Sequence, residues 1–185
     1  MKEHLMIDLE TLGTVSNTVI TSIGAVLFDS NGRVIDEFHS DVSMASCVDL
    51  GMKIDPATMS WWMGQSKVAQ AHIVLPDETK RTLGEALLHL SDFLHEVAAD
   101  PSETRVWGNG ASFDNSMMQY SYKLVGEELP WKFWNDRCFR TVKNICGHIK
   151  PDPRLGTHHD ALDDAKHQAS HLIKISRAYP NVLDT

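Results

Sequence analysis

At 185 residues, with 42% apolar and 23% charged side chains and no Gly/Pro-rich or single-charge tract, the chain suits one compact domain spanning 1–185, not a disordered or multidomain protein. A formal net charge of -8 excludes a protein that holds nucleic acid on a broad basic surface, but it is compatible with carboxylates that grip divalent cations for phosphate chemistry. No apolar run reaches the ~18–20 residues of a membrane span, Cys47, Cys138 and Cys146 are too scattered for a disulfide framework, and MKEHLMIDLE lacks a signal-peptide core, so a cytoplasmic setting without a membrane partner is expected.

In chain order, HLMIDL (4–9) is an apolar run of strand length, and after the turn-like GTVSN comes TVITSIGAVLFD (18–29), rich in β-branched residues. Asn31-Gly32 in DSNGR is a hairpin signal, and VIDEFHSDVS (34–43) alternates apolar with polar residues as a half-buried strand does. These three segments predict an antiparallel meander. The pattern then becomes helical over 55–73, with Pro56 early, and again over 82–99. TRVWGNGA (104–111) reads as a buried strand ending in glycines, and 112–128 as a helix with Ser112 at its N-cap. A strand over 131–139, a helix over 140–149 and a closing helix over 159–179 complete the chain. A meander followed by alternating strands and helices predicts an α/β domain with a mixed sheet flanked by helices.

Asp8 and Glu10 lie two apart at the end of the first strand, so both carboxylates share one face. Such pairs are common on solvated surfaces, but the preceding Leu-Met-Ile implies a buried strand, where unpaired acids need cations or hydrogen bonds. Asp114 falls in the first turn of the 112–128 helix, where the dipole favours an anion and capping alone accounts for it. Asn109 and Asn115 suit turn geometry, and Gly108 and Gly110 suit close approach of a ligand. In THHDALDDA (157–165), Asp160 and Asp164 share a helix face while Asp163 is rotated toward solvent, and the adjacent histidines add groups that exchange protons near neutral pH. Trp61 and Trp62 point about 100° apart on a helix, so one packs while the other can border a site. Phe113 by position is a core residue. Cys138, Cys146 and His148 lack the second ligand pair of a zinc site, and the two cysteines read as core.

Asp8-x-Glu10, Asp114 in a Phe-Asp element, and His159 five residues before Asp164 together resemble the three motifs of the DEDDh 3′–5′ exonucleases of the ribonuclease H-like superfamily. TMSWWMGQS (58–66) and GNGASFDN (108–115) resemble the smaller set of phage and bacterial exonucleases similar to mycobacterial exoribonucleases and to the amino-terminal part of exonuclease VIII. The resemblance implies a ribonuclease H-like fold and a metal-dependent exonuclease that trims DNA and/or RNA from a free 3′ end, releasing nucleoside 5′-monophosphates. It implies Asp8, Glu10, Asp114 and Asp164 as ligands of two Mg²⁺ or Mn²⁺ ions, with His159 as the general base that takes a proton from the attacking water. It further implies substrate contacts from Leu9, Thr11 and Leu12, and a homodimer; Trp62, Asn109, Phe113, Asn115 and His158, beside these motifs, are further candidate substrate contacts. Two other readings compete: a catalytically silent nucleic-acid-binding module of the same fold, and an all-helical HD-type phosphohydrolase suggested by adjacent His159 and Asp160.

Overall fold

The computed structural model describes residues 2–184. Three strands, β1 (Glu3–Thr11), β2 (Ile20–Asp29) and β3 (Val34–Asp41), form the expected antiparallel meander, and β4 (Arg105–Gly108) and β5 (Asp136–Cys138) extend it in parallel. The sheet order is β3-β2-β1-β4-β5, which puts β1 at the centre. The helices are α1 (Met44–Asp49), α2 (Pro56–Met63), α3 (Ala71–Val74), α4 (Leu83–Val97), α5 (Asp114–Val125), α6 (Phe139–Ile145), α7 (Ala161–Ala178) and α8 (Asn181–Asp184). None is long and apolar enough to cross a membrane. The mixed sheet contradicts the HD-type alternative.

The period of two sorts β1 onto two cores. Leu5, Ile7 and Leu9 join Leu83, Leu87, Leu90, Leu94, Met117 and Tyr122 from α4 and α5 on one face. Met6 joins Trp107, Phe139, Ala165, Leu172 and Ile175 on the other, beneath α7. Asp8 follows Met6 on the α7 face. All ten residues of β2 are buried because the sheet is covered on both sides. The β2–β3 turn is the predicted Asn31-Gly32 hairpin, with Gly32 at φ 81° and the Asp29 carboxylate accepting the backbone N–H groups of Asn31 and Arg33 at 2.9 and 3.0 Å.

Three boundaries differ from those expected. The helix over 55–73 is two helices, because the Gln70 amide donates to the carbonyls of Trp62, Met63 and Gln65 and so stabilises a break after Gly64. Ser112 is not the cap of α5: Phe113 occupies that position without a side-chain hydrogen bond. The strand over 131–139 shrinks to Asp136–Cys138, preceded by a tight turn over Phe133–Asn135. Cys146 is a core residue as expected, and Cys47 is one too, whereas Cys138, at the start of α6, is half-buried and so departs from the core reading.

Gly24 faces Asp8 across the β1–β2 ladder, and α7 begins directly over it. A Cβ at Gly24 would lie 2.2 Å from the Ala161 carbonyl carbon and 2.3 Å from the Leu162 nitrogen, both backbone atoms. Gly24→Ala should therefore lower the unfolding free energy by about 1–3 kcal/mol, and it should reduce any activity that depends on the start of α7. Thermal unfolding checks this, and an unchanged Tm would contradict the close approach.

Candidate active site

The carboxyl end of β1, the start of α5 and the start of α7 meet at one cavity of about 400 Å³, lined by Asp8, Glu10, Asn109, Asp114, Arg140, His159, Asp164 and Gln168 among others. The four acids and the histidine singled out in the sequence thus converge from three distant segments. Glu10, His159 and Asp164 present atoms that all lie within 4.8 Å of one another.

Each acid is placed by a different device. The β1 pleat aims Asp8 at α7, where the Gln168 amide donates to its Oδ1 at 2.6 Å. Asp114 opens α5, where nearby backbone N–H groups, including those of Asn109 and Leu9, favour its charged form. Gly108 must lack a side chain here, because a Cβ would lie 2.4 Å from Asn115 Oδ1 and 2.9 Å from Asp114. Asp164 pairs with Arg154 Nη2 at 2.5 Å and accepts the His159 backbone N–H at 2.9 Å. That bond closes a turn in which His159 adopts φ 62°, a left-handed conformation unusual for a residue with a Cβ. The imidazole packs edge-on against Trp61 and Trp62, with ring centroids 4.9 and 5.9 Å away.

Crowding and burial make these acids reluctant to ionise. Burial pushes Glu10 up to about 8, with Asp164, Asp160 and Asp114 adding repulsion. Burial likewise raises Asp114 to about 7 against the pull of its backbone donors. Asp8 lies well above the ordinary carboxylate range, again through burial and then through the charges of Asp114, Glu10 and Asp164. Such a set fits divalent cations, which would replace the lost hydration and cancel the mutual repulsion; four carboxylates with one imidazole suit the hard ions Mg²⁺ and Mn²⁺.

A pH signature follows. Glu10 and Asp114 ionise in the unfolded chain near 4.5 and 3.8 but in the fold only near 8 and 7. The contribution of these two groups to metal-free stability is therefore greatest below the unfolded values and is lost as pH rises toward 8. Cations bind the ionised folded state, so the Tm increase caused by Mn²⁺ or Mg²⁺ should be larger at pH 8 than at pH 5. Equal increases at both pH values would contradict this electrostatic account.

The other expected contacts divide. Leu9, Thr11 and Phe113 line a neighbouring cavity of about 420 Å³ that runs up against Ala57, Thr58 and Trp61 of α2. Asn109 lines the acid cavity, its carbonyl accepting from Arg140 and its Oδ1 from Lys143. Leu12 is fully buried and both its backbone groups are used, by Val19 and Asp55, so nothing of it reaches either cavity. Asn115 is an internal strut whose amide donates to the Val106 carbonyl and Asp136 Oδ1. Trp62 also lines that neighbouring cavity but is only 1% exposed, with its indole N–H on the Thr11 carbonyl; Trp61, 47% exposed, carries the open aromatic face. His158 is exposed, its ring 6.1 Å from that of His159, and it does not line the acid cavity. Asp160 caps α7 through the Asp163 N–H, and Asp163, expected to face solvent, instead accepts the Thr157 N–H and braces the loop before the helix.

Sequence reasoning missed Gln168, Arg154 and Arg140, and of the tryptophan pair it named Trp62 as the substrate contact where Trp61 carries the open face. Gln168 had a signal, since it lies four residues after Asp164 and so on the same helix face. A bigger cavity, about 710 Å³, lies against Thr141, Val142 and Ile145 of α6 and is mostly apolar.

Comparison with known proteins places this geometry. A family model described as a 3′–5′ exoribonuclease Rv2179c-like domain matches residues 3–176. An exodeoxyribonuclease of Enterobacteria phage T4 is 28% identical over 156 residues, covering 74% of this chain and 68% of the relative. A zinc-bound E. coli exonuclease I–ssDNA complex superposes with a TM-score of 0.70 at 14% identity, over 100% of this chain and 42% of that one. Exonuclease I with a dA16 oligonucleotide gives 0.71 at 15% identity over the same shares, and cell-death related nuclease 4 gives 0.65 at 14%, over 96% and 64%. The chain therefore spans less than half the length of the exonuclease I chains it matches. The shared fold is the ribonuclease H-like arrangement implied by the sequence motifs.

Proposed function

The chain belongs to the Rv2179c-like 3′–5′ exoribonuclease domain family, whose model spans residues 3–176, and from that membership we propose that it hydrolyses the terminal phosphodiester of single-stranded DNA or RNA at a free 3′ end. The observation that carries the reading is the convergence of Asp8, Glu10, Asp114, His159 and Asp164 on one cavity.

Asp8, Glu10, Asp114 and Asp164 would hold two divalent cations, Mg²⁺ or Mn²⁺, which stabilise charge on the attacking and leaving oxygens of an in-line displacement. The remaining work falls to side chains of this chain. His159 takes the proton of the attacking water; its strained turn and the flanking indoles fix the ring at the mouth of the acid cavity. The adjoining cavity receives the terminal nucleoside, with Thr11 and Phe113 at its walls and Trp61 offering a face on which a base can stack. Because that cavity runs up against α2, the strand enters by its end, and each turnover releases a nucleoside 5′-monophosphate. Phe113 and Leu9 line both cavities and so couple the seat of the last nucleoside to the bond being cut.

Product analysis tests the chemistry. Incubation of DNA and RNA single strands with Mg²⁺ or Mn²⁺ should yield nucleoside 5′-monophosphates, separable from 3′-monophosphates by chromatography. Release of 3′-monophosphates would place the cut on the wrong side of the phosphate and contradict the mechanism.

A further inference from the structure

The chain has 25 acidic and 17 basic residues, yet residues 131–150 contain five bases (Lys132, Arg137, Arg140, Lys143 and Lys150) and one acid, Asp136. That acid is occupied internally, accepting from Asn115 and Trp131. Among the described residues none of Arg137, Arg140 and Lys143 makes an ion pair with a carboxylate, although the chain has acids to spare. Instead Arg140 and Lys143 donate to the carbonyl and side chain of Asn109, and Arg137 to the carbonyls of Trp134 and Asp136. Three neighbouring cations thus stand along one edge of an acidic protein without a carboxylate ion-pair partner.

This edge continues the acid cavity. Arg140 lines that cavity but not the neighbouring one against α2, and β5, the outer strand of the sheet, leads from there toward Arg137 and Trp134. At ~3.3 Å per residue its three residues cover ~10 Å. At the far end Phe133 and Trp134 are 66% and 61% exposed, in edge-to-face contact at 5.0 Å, with Lys132 Nζ 5.8 Å from the Trp134 ring. Lys132 is held by Glu103, but exposed aromatics next to Arg137, Arg140 and Lys143, which have no carboxylate partner, offer what a single strand of nucleic acid requires: cations for its phosphates and ring faces for its bases.

We propose that this edge, from Arg140 and Lys143 through Arg137 to Phe133 and Trp134, carries the part of the single strand that lies upstream of the scissile bond. The inference rests on the exonuclease reading and adds where the retained strand runs. The terminal nucleoside occupies the α2 side, the scissile phosphate the acids, and the following phosphates the α6 and β5 side. Affinity should therefore grow with strand length until the aromatic pair is reached.

The test compares the parent with the variant Phe133→Ala/Trp134→Ala/Arg137→Gln on a dinucleotide and on a strand of about a dozen nucleotides. The ratio of kcat/KM, long strand over dinucleotide, should fall about tenfold or more in the variant. Its binding should also lose about 0.7 from the log–log salt slope for the phosphate contact removed. In EDTA, oligothymidylate should quench more tryptophan fluorescence in the parent than in Trp134→Phe. An unchanged ratio, or quenching identical in parent and Trp134→Phe, would overturn the proposed path. A parent protein that trims no 3′ end would overturn the exonuclease reading instead, and the quenching in EDTA would still decide whether a strand lies on this edge.

Discussion

His159→Ala should lower kcat by about 10²–10⁴-fold, the usual contribution of a positioned general base, while His158→Ala leaves kcat close to the parent value. The two rings are neighbours in sequence, but their surroundings differ. His159 lines the acid cavity and is wedged against Trp61 and Trp62, whereas His158 is exposed and lines no part of it. The backbone offers a second readout. At φ 62° an alanine keeps the left-handed strain that a glycine relieves, so His159→Gly should be more stable than His159→Ala by about 1 kcal/mol, with both equally inactive. Rate measurements with all three variants, together with their unfolding curves, separate loss of a base from loss of fold. A His158→Ala variant that loses more rate than His159→Ala would reverse the assignment.

Asp8→Asn should act in opposite directions on activity and on metal-free stability. The carboxylate is buried among three other acids and lies well above its ordinary range. Replacing it with an amide of the same shape removes repulsion from Glu10, Asp114 and Asp164 and leaves Gln168 a polar neighbour. In EDTA at pH 8 the variant should melt higher than the parent, at roughly 2–4 °C per kcal/mol for a chain of this size. Its cation-dependent increase in Tm should shrink, and its rate should fall by more than about 100-fold, a loss that even an outer-shell change at a metal site can produce. Differential scanning calorimetry with and without Mn²⁺ checks the first two. A variant both less stable without cations and still active would show that Asp8 is a structural acid.

The site was more legible in the sequence than the surface around it. Asp8 and Glu10 could be read because they end an apolar strand, and Asp164 because its step from His159 survives in the first turn of α7. The meander could be read because Asn31-Gly32 fixes its hairpin and β2 is apolar throughout. Where tertiary contacts decide the outcome, local pattern fails. Nothing near Gly64 announces that Gln70 will collect three carbonyls and end α2. Leu12 stands beside the first motif, yet the shift in pairing between Glu10 and Thr11 precedes a turn that buries it. Asn115 adjoins Asp114, but the helix turns it inward to β4 and β5. The edge at 131–143 was hidden for a different reason: its charge is local, and a net charge of -8 averages it away.

The most direct measurement of the central claim is the direction of degradation. A single strand labelled at its 5′ end, in DNA and RNA forms, is incubated with the parent protein or Asp8→Ala under Mg²⁺ or Mn²⁺. The account predicts a ladder of 5′-labelled fragments that shortens stepwise with the parent and is absent with Asp8→Ala or EDTA. Immediate release of the labelled nucleotide, internal cuts, or an undiminished ladder from Asp8→Ala would contradict it.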